Sequence, residues 1–116
     1  MSADYVFKGQ AIHVDLHLIT GTVFNETFTY KDSAGNPIDN TGYAAVLEIR
    51  NVDTNAVALT GSEADIVTLG GADGTIRIQF NAGQIASLIN RNYEWDLVFN
   101  TDTRFMRGYV FRDQLL

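Results

Sequence analysis

The chain has no cysteine, a single proline, two lysines and only 19% charged residues in a length of 116. Without cysteine there are no disulfide staples, no thiolate metal ligands and no thiol nucleophile. No apolar run approaches the ~18 residues of a membrane-spanning helix, and Met1 to Gln10 is too polar for a secretory leader, so a soluble, cytoplasmically made protein is expected. Basic residues are few, 8 against 14 acidic for a net charge of −6, which argues against nucleic-acid or anionic membrane surfaces. Arg91, Arg104, Arg107 and Arg112 gather in the last quarter, but Glu94, Asp96, Asp102 and Asp113 balance them there. Repeats, linkers and low-complexity tracts are also missing, so residues 1–116 read as one domain. A core of this size buries roughly 65% of the unfolded surface, enough to fold alone with little to spare.

What is present is β patterning. Ile12, Val14, Leu16 and Leu18 alternate with His13, Asp15 and His17, the period of a strand with one face in a core. Phe24 to Tyr30 repeats it, with Glu26 near a rim. Residues 31–42 collect turn formers around Gly35 and Pro37, predicting a long connection. Tyr43 to Arg50 reads as a strand apolar on both faces in its first half, followed by short strands over Ala56–Thr60 and Ile66–Leu69. Asp73-Gly74 signals a bulged hairpin into Thr75–Phe80. Asn81 to Asn90 is the one credible helix, capped by Asn81 with Ile85, Leu88 and Ile89 on one stripe. Tyr93, Trp95, Leu97 and Phe99 form the next strand. Phe105, Arg107, Tyr109 and Phe111, alternating with Met106, Gly108 and Val110, form the last. About eight short strands at this spacing predict an all-β antiparallel sandwich with one short helix before the late strands.

Three constellations could carry chemistry. His13, Asp15 and His17 are metal-ligand types, but on a strand the two histidines stand roughly 13 Å apart, too far to share one ion. Asp32, Asp39, Asp53, Asp65 and Asp73 lie in turns without calcium-loop spacing, and turn chemistry accounts for each. Glu94 and Asp96 share a strand face roughly 7 Å apart, within the range of a glycosidase acid and base, without an assignable aromatic groove. The four serines adjoin no histidine, and the Gly70-Gly71 cluster lacks the lysine and helix of a phosphate loop. No catalytic residue, cofactor or metal is therefore assigned, and the chain is read as a non-enzyme. Tyr93, Trp95 and Phe99 could stack on a sugar, against the more usual place of a tryptophan as a core anchor.

TGTVF (20–24), DSAGNPID (32–39) running into TGYAAVLEIR (41–50), DGTIRIQF (73–80) with its following helix, and YEWDLVF (93–99) leading to MRGYVF (106–111) together resemble a family of small tailed-bacteriophage virion proteins. The resemblance spans nearly the whole chain. It implies an immunoglobulin-like β-sandwich similar to the N-terminal module of baseplate upper and tail-fibre attachment proteins, acting as a structural component of tail, baseplate or fibre attachment in the virion. Other virion proteins and further copies of the chain are the implied partners. With the last strand ending near Leu116, a stand-alone adaptor, decoration or small baseplate piece is expected. The alternatives are a capsid decoration protein and a carbohydrate-binding module using Trp95. The expected contact surface is His13, Asp15 and His17 with Arg104, Arg107 and Arg112. The apolar stretches Ala44–Leu47 and Tyr109–Phe111 are expected to be covered by neighbours.

Overall fold

A computed structural model describes residues 2–6, 12–62, 66–89, 92–100 and 103–113. Ten strands run in chain order: β1 (Ser2–Val6), β2 (Ile12–His13), β3 (Leu16–Ile19), β4 (Phe24–Lys31), β5 (Ala45–Asn51), β6 (Val57–Ser62), β7 (Val67–Leu69), β8 (Thr75–Phe80), β9 (Tyr93–Phe99) and β10 (Thr103–Asp113). A 3-10 turn (Gly71–Asp73) joins β7 to β8, and one helix, α1 (Ala82–Ala86), precedes β9.

The strands form two sheets, ordered β1-β4-β8-β7 and β2-β10-β9-β5-β6, with β3 also pairing β10. Within the first sheet β4, β8 and β7 pair antiparallel, as do β10, β9, β5 and β6 in the second. The all-β sandwich with one short helix is as the sequence predicts. The pairing is not purely antiparallel: β1 runs parallel to β4, and β2 and β3 run parallel to β10.

Inward residues alternate along each strand and meet between the sheets. Phe28, Tyr30, Ile76, Ile78 and Phe80 from the first sheet pack against Leu47, Ile49, Trp95, Leu97, Phe99 and Met106 from the second. Tyr30 and Phe99 each lie within 5 Å, ring centre to ring centre, of Phe105 (4.3 and 4.7 Å), so aromatic contacts bridge the sheets. Burying each such ring is worth roughly 2–3 kcal/mol.

Four local expectations are corrected. The first strand is not continuous, breaking at Val14–Asp15 into β2 and β3. A bulge between Arg104 and Met106 turns both Phe105 and Met106 inward, so Phe105 leaves the face it was expected to share with Arg107, Tyr109 and Phe111. α1 ends at Ala86, which leaves Ile85 and Leu88 buried but Ile89 exposed. β5 begins at Ala45 and alternates strictly, so Ala45 and Leu47 enter the chain's own core and Val46 points outward.

Of the turn aspartates, Asp32 and Asp39 act as the sequence suggests, while Asp65 lies outside the described residues. Asp32 Oδ1 accepts from the backbone of Ala34 and Asn36, and Asp39 Oδ1 from Thr41. The buried Asn40 ties the loop before β5 to the β7–β8 connection, donating to Thr75 O at 3.1 Å and accepting from Gly71 N at 2.6 Å. Among the described residues no helix is long and apolar enough to cross a membrane.

Candidate interaction surface

The outward face of the six-stranded sheet is a lattice of charged and aromatic side chains. Register sets them in rows across the strands. One row runs His13, Arg107, Asp96, Glu48, Thr60, and the next runs Tyr109, Glu94, Arg50, Val57. On one side lies Arg104, Val98, Val46, and on the other the pair Phe111 and His17. A shallow depression of about 250 Å³ opens in the middle, bounded by His13, Glu48, Arg50, Asp96, Arg107 and Tyr109 among others.

The break between β2 and β3 organises one margin of this face. Val14 donates its N–H to Arg107 O at 2.8 Å, while its carbonyl turns toward the core and accepts from the Trp95 indole at 2.7 Å. The indole reaches it by crossing Gly108, its direct partner on β10. A Cβ on Gly108 would collide with the Val14 carbonyl, so only glycine fits there. Close backbone approach at Gly108 is the role its place in the last strand suggests.

Asp15 repairs the ladder where the strand breaks. Its Oδ1 accepts the Tyr109 backbone N–H at 2.9 Å and also lies 2.9 Å from His13 Nε2. The Tyr109 bond, with His13 beside it, holds the Asp15 carboxyl below its ordinary range. The two histidines are anchored by rings: His13 packs edge-on to Tyr109 at 5.9 Å, and His17 stacks on Phe111 at 5.1 Å. They serve separate contacts on the strand, and among the described residues no group of three ligand-type side chains converges on a metal position.

At the centre, Asp96 sits half-buried between Arg104, 3.3 Å away, and the carboxylate of Glu48. Desolvation raises its pKa despite the arginine, and Glu48 adds to the rise. Arg50 donates to Glu48 and, through Nη1, to Asn55 O. Among the described residues neither Arg107 nor Glu94 makes a side-chain hydrogen bond or close ion pair, although Arg107 lies beside Asp96 on the neighbouring strand and its charge acts on that carboxyl. Tyr109 and Phe111 are 49% and 43% exposed at one end, and Val46 and Val57 are exposed at the other.

The structure therefore places His13, Asp15, His17, Arg104 and Arg107 on one face. Arg112 pairs with Leu18 through its backbone, and its side chain lies outside the described residues. Glu48 and Arg50 were missing from the predicted surface, although their alternation with Leu47 and Ile49 marks them as outward. Glu94 and Asp96 belong to the same face, each beside an arginine-bearing strand. The sugar platform at Trp95 is overturned: Tyr93, Trp95 and Phe99 are all buried, Trp95 at 2% exposure, and its only ring donor is spent on Val14. Of the apolar stretches expected to need neighbours, Val46, Tyr109 and Phe111 are exposed, while Ala45, Leu47 and Val110 are covered by the chain's own core.

No family model and no curated protein matches this chain. Among solved structures it is similar to the N-terminal domain of phage TP901-1 ORF48, with a TM-score of 0.58 over 97% of this chain and 99% of that one, at 9% identity. The two share a fold from end to end.

Proposed function

We propose that the chain is a non-catalytic structural protein of a bacteriophage particle, a tail, baseplate or fibre-attachment component that docks through the outward face of its six-stranded sheet. The observation that supports this reading is the end-to-end fold similarity to a domain of a phage protein. The motif resemblance along the chain points the same way. The face itself suits docking: it carries charges of both signs and half-exposed aromatic rings, and its depression is shallow. Tyrosine and arginine are the residues that most often anchor protein contacts. Its partners are other virion proteins and copies of itself, and its place is the virion.

Proteomics of purified particles, with labelled-antibody microscopy to locate the protein, tests the reading. The expected result is a structural component whose copy number is a multiple of three, five or six, as the symmetry of such particles requires. Absence from particles, with the protein present only in the infected-cell lysate, would contradict it.

A further inference from the structure

The line between β9 and β10 divides the outward face into halves that mirror each other in chemistry. In one row His13 and Arg107 lie on one side, Asp96 and Glu48 on the other. In the next row Asp15, bonded to the backbone of Tyr109, and Tyr109 lie on one side, Glu94 and Arg50 on the other. A two-fold axis lying in the face along that line sets each residue over its mirror position in a second copy. Arg107 then meets Asp96 of the partner subunit, and Arg50 meets Asp15 of the partner subunit, opposite in sign in both cases. His13 brings an imidazole to Glu48 of the partner subunit, and Tyr109 brings a phenol donor to Glu94 of the partner subunit.

The direction of the axis follows from the same pattern. A two-fold axis running across the strands, between these rows, would set Asp96 over Glu94 and Arg107 over Tyr109. That arrangement confronts like charges and leaves the arginine without an acid. It does set Glu48 over Arg50 and His13 over Asp15, but of the two axes the one along the strands gives every acid on these rows a donor or cation.

We infer that this face is a self-complementary interface that pairs two copies of the chain about a two-fold axis parallel to β9 and β10. Such an interface is isologous, so each contact occurs twice. Arg107 and Glu94, which make no side-chain hydrogen bond or close ion pair among the described residues, gain one across it. The four strand positions that overlap across the axis, about 4.8 Å apart, and four outward rows about 6.8 Å apart outline a face of roughly 500 Å² in projection. That is below the about 800 Å² per partner of a standard interface. The exposed Tyr109, Phe111 and Val46 supply apolar area to it.

The inference deepens the assembly reading above, and the two fail separately. A protein found in particles but monomeric in solution loses only the dimer, whereas a dimer absent from particles loses only the virion role. Sedimentation equilibrium of the purified chain is the test. Wild type is expected to be a dimer that weakens as salt is raised. Arg107→Asp and Asp96→Arg should each weaken dimerisation by about 100-fold or more, because each sets like charges face to face twice. A one-to-one mixture of the two variants should pair again, since their altered charges are complementary. Near-ultraviolet circular dichroism of the Trp95 environment checks that each variant is folded; should either not be, Arg50→Glu, which faces Asp15 of the partner subunit, replaces it as the single variant expected to weaken the dimer, and Arg50→Glu mixed with Asp15→Arg replaces the complementary mixture. A monomeric wild type, single variants that dimerise like wild type, or a mixture that stays monomeric would each overturn the inference.

Discussion

Much of the design rests on a few residues where β2 gives way to β3. Trp95, Gly108, Val14 and Asp15 act together: a missing side chain on β10 lets an indole cross it to a carbonyl, and a carboxylate takes over the N–H that the break leaves behind. Gly108→Ala is expected to cost about 2–4 kcal/mol, because the obstacle is a backbone carbonyl that cannot move aside. Trp95→Phe removes the bond to Val14 and leaves a cavity where the larger indole lay, and should cost about 2–4 kcal/mol. Urea unfolding followed by circular dichroism measures both. The two perturbed carboxylates predict opposite pH behaviour. Asp15, with its folded pKa lowered, stabilises the fold above the ordinary carboxylate range and loses that contribution as pH falls through its folded value. Asp96, with its pKa raised, binds its proton more tightly when folded, so its share of stability increases as pH falls through the raised value. Melting temperatures between pH 7 and 3 should therefore fall less steeply in Asp15→Asn than in wild type, and more steeply in Asp96→Asn. Parallel curves for wild type and both variants would contradict this assignment.

At the scale of elements, period-two alternation made the faces of β4 and β9 legible from the sequence, because a half-buried strand must alternate. The partners were less legible. Parallel pairing of β1 with β4, and of β2 and β3 with β10, joins segments far apart in the chain, and no local turn residue announces it. The bulge that buries Phe105 is likewise invisible to a regular period, since one extra residue inverts the facing of what precedes it. The candidate surface was half legible for the same reason. His13, Asp15, His17, Arg104 and Arg107 could be placed outward strand by strand, but only the sheet order brings Glu48 and Arg50 beside them. The helix was well marked at its start and poorly at its end. Asn81 accepts from Gln84 N at 2.7 Å while Gln84 Oε1 accepts from Asn81 N at 2.9 Å, a reciprocal cap that the sequence half reveals. Asn81→Ala should cost about 1 kcal/mol, read from the shift of the urea midpoint at constant slope. An unchanged midpoint would show that packing of Ile85 and Leu88 alone holds the helix in place.

For the whole molecule, the two sheets divide the work. The first, with β4 and β8 at its centre, contributes Phe28, Ile76, Ile78 and Phe80 to the core, and its outward side carries polar contacts such as Arg77 with Asn25 and Gln79. The second completes the core and turns toward its surroundings a face of alternating charge with exposed rings at one end. Charged side chains of both signs, Asp15, Glu48, Arg50, Glu94, Asp96, Arg104 and Arg107, lie on the surface proposed to dock. The absence of cysteine makes that proposal directly measurable, since one introduced thiol is the only one in the chain. Glu48→Cys places it on the outward face of the second sheet and Gln79→Cys on the outward side of the first, and maleimide labelling can be compared in free protein and in intact particles. The account predicts that both sites label in the free, dilute chain, and that only the site at 48 becomes protected in the particle. Equal labelling at the two positions in particles would contradict the assignment of the six-stranded sheet as the assembly surface.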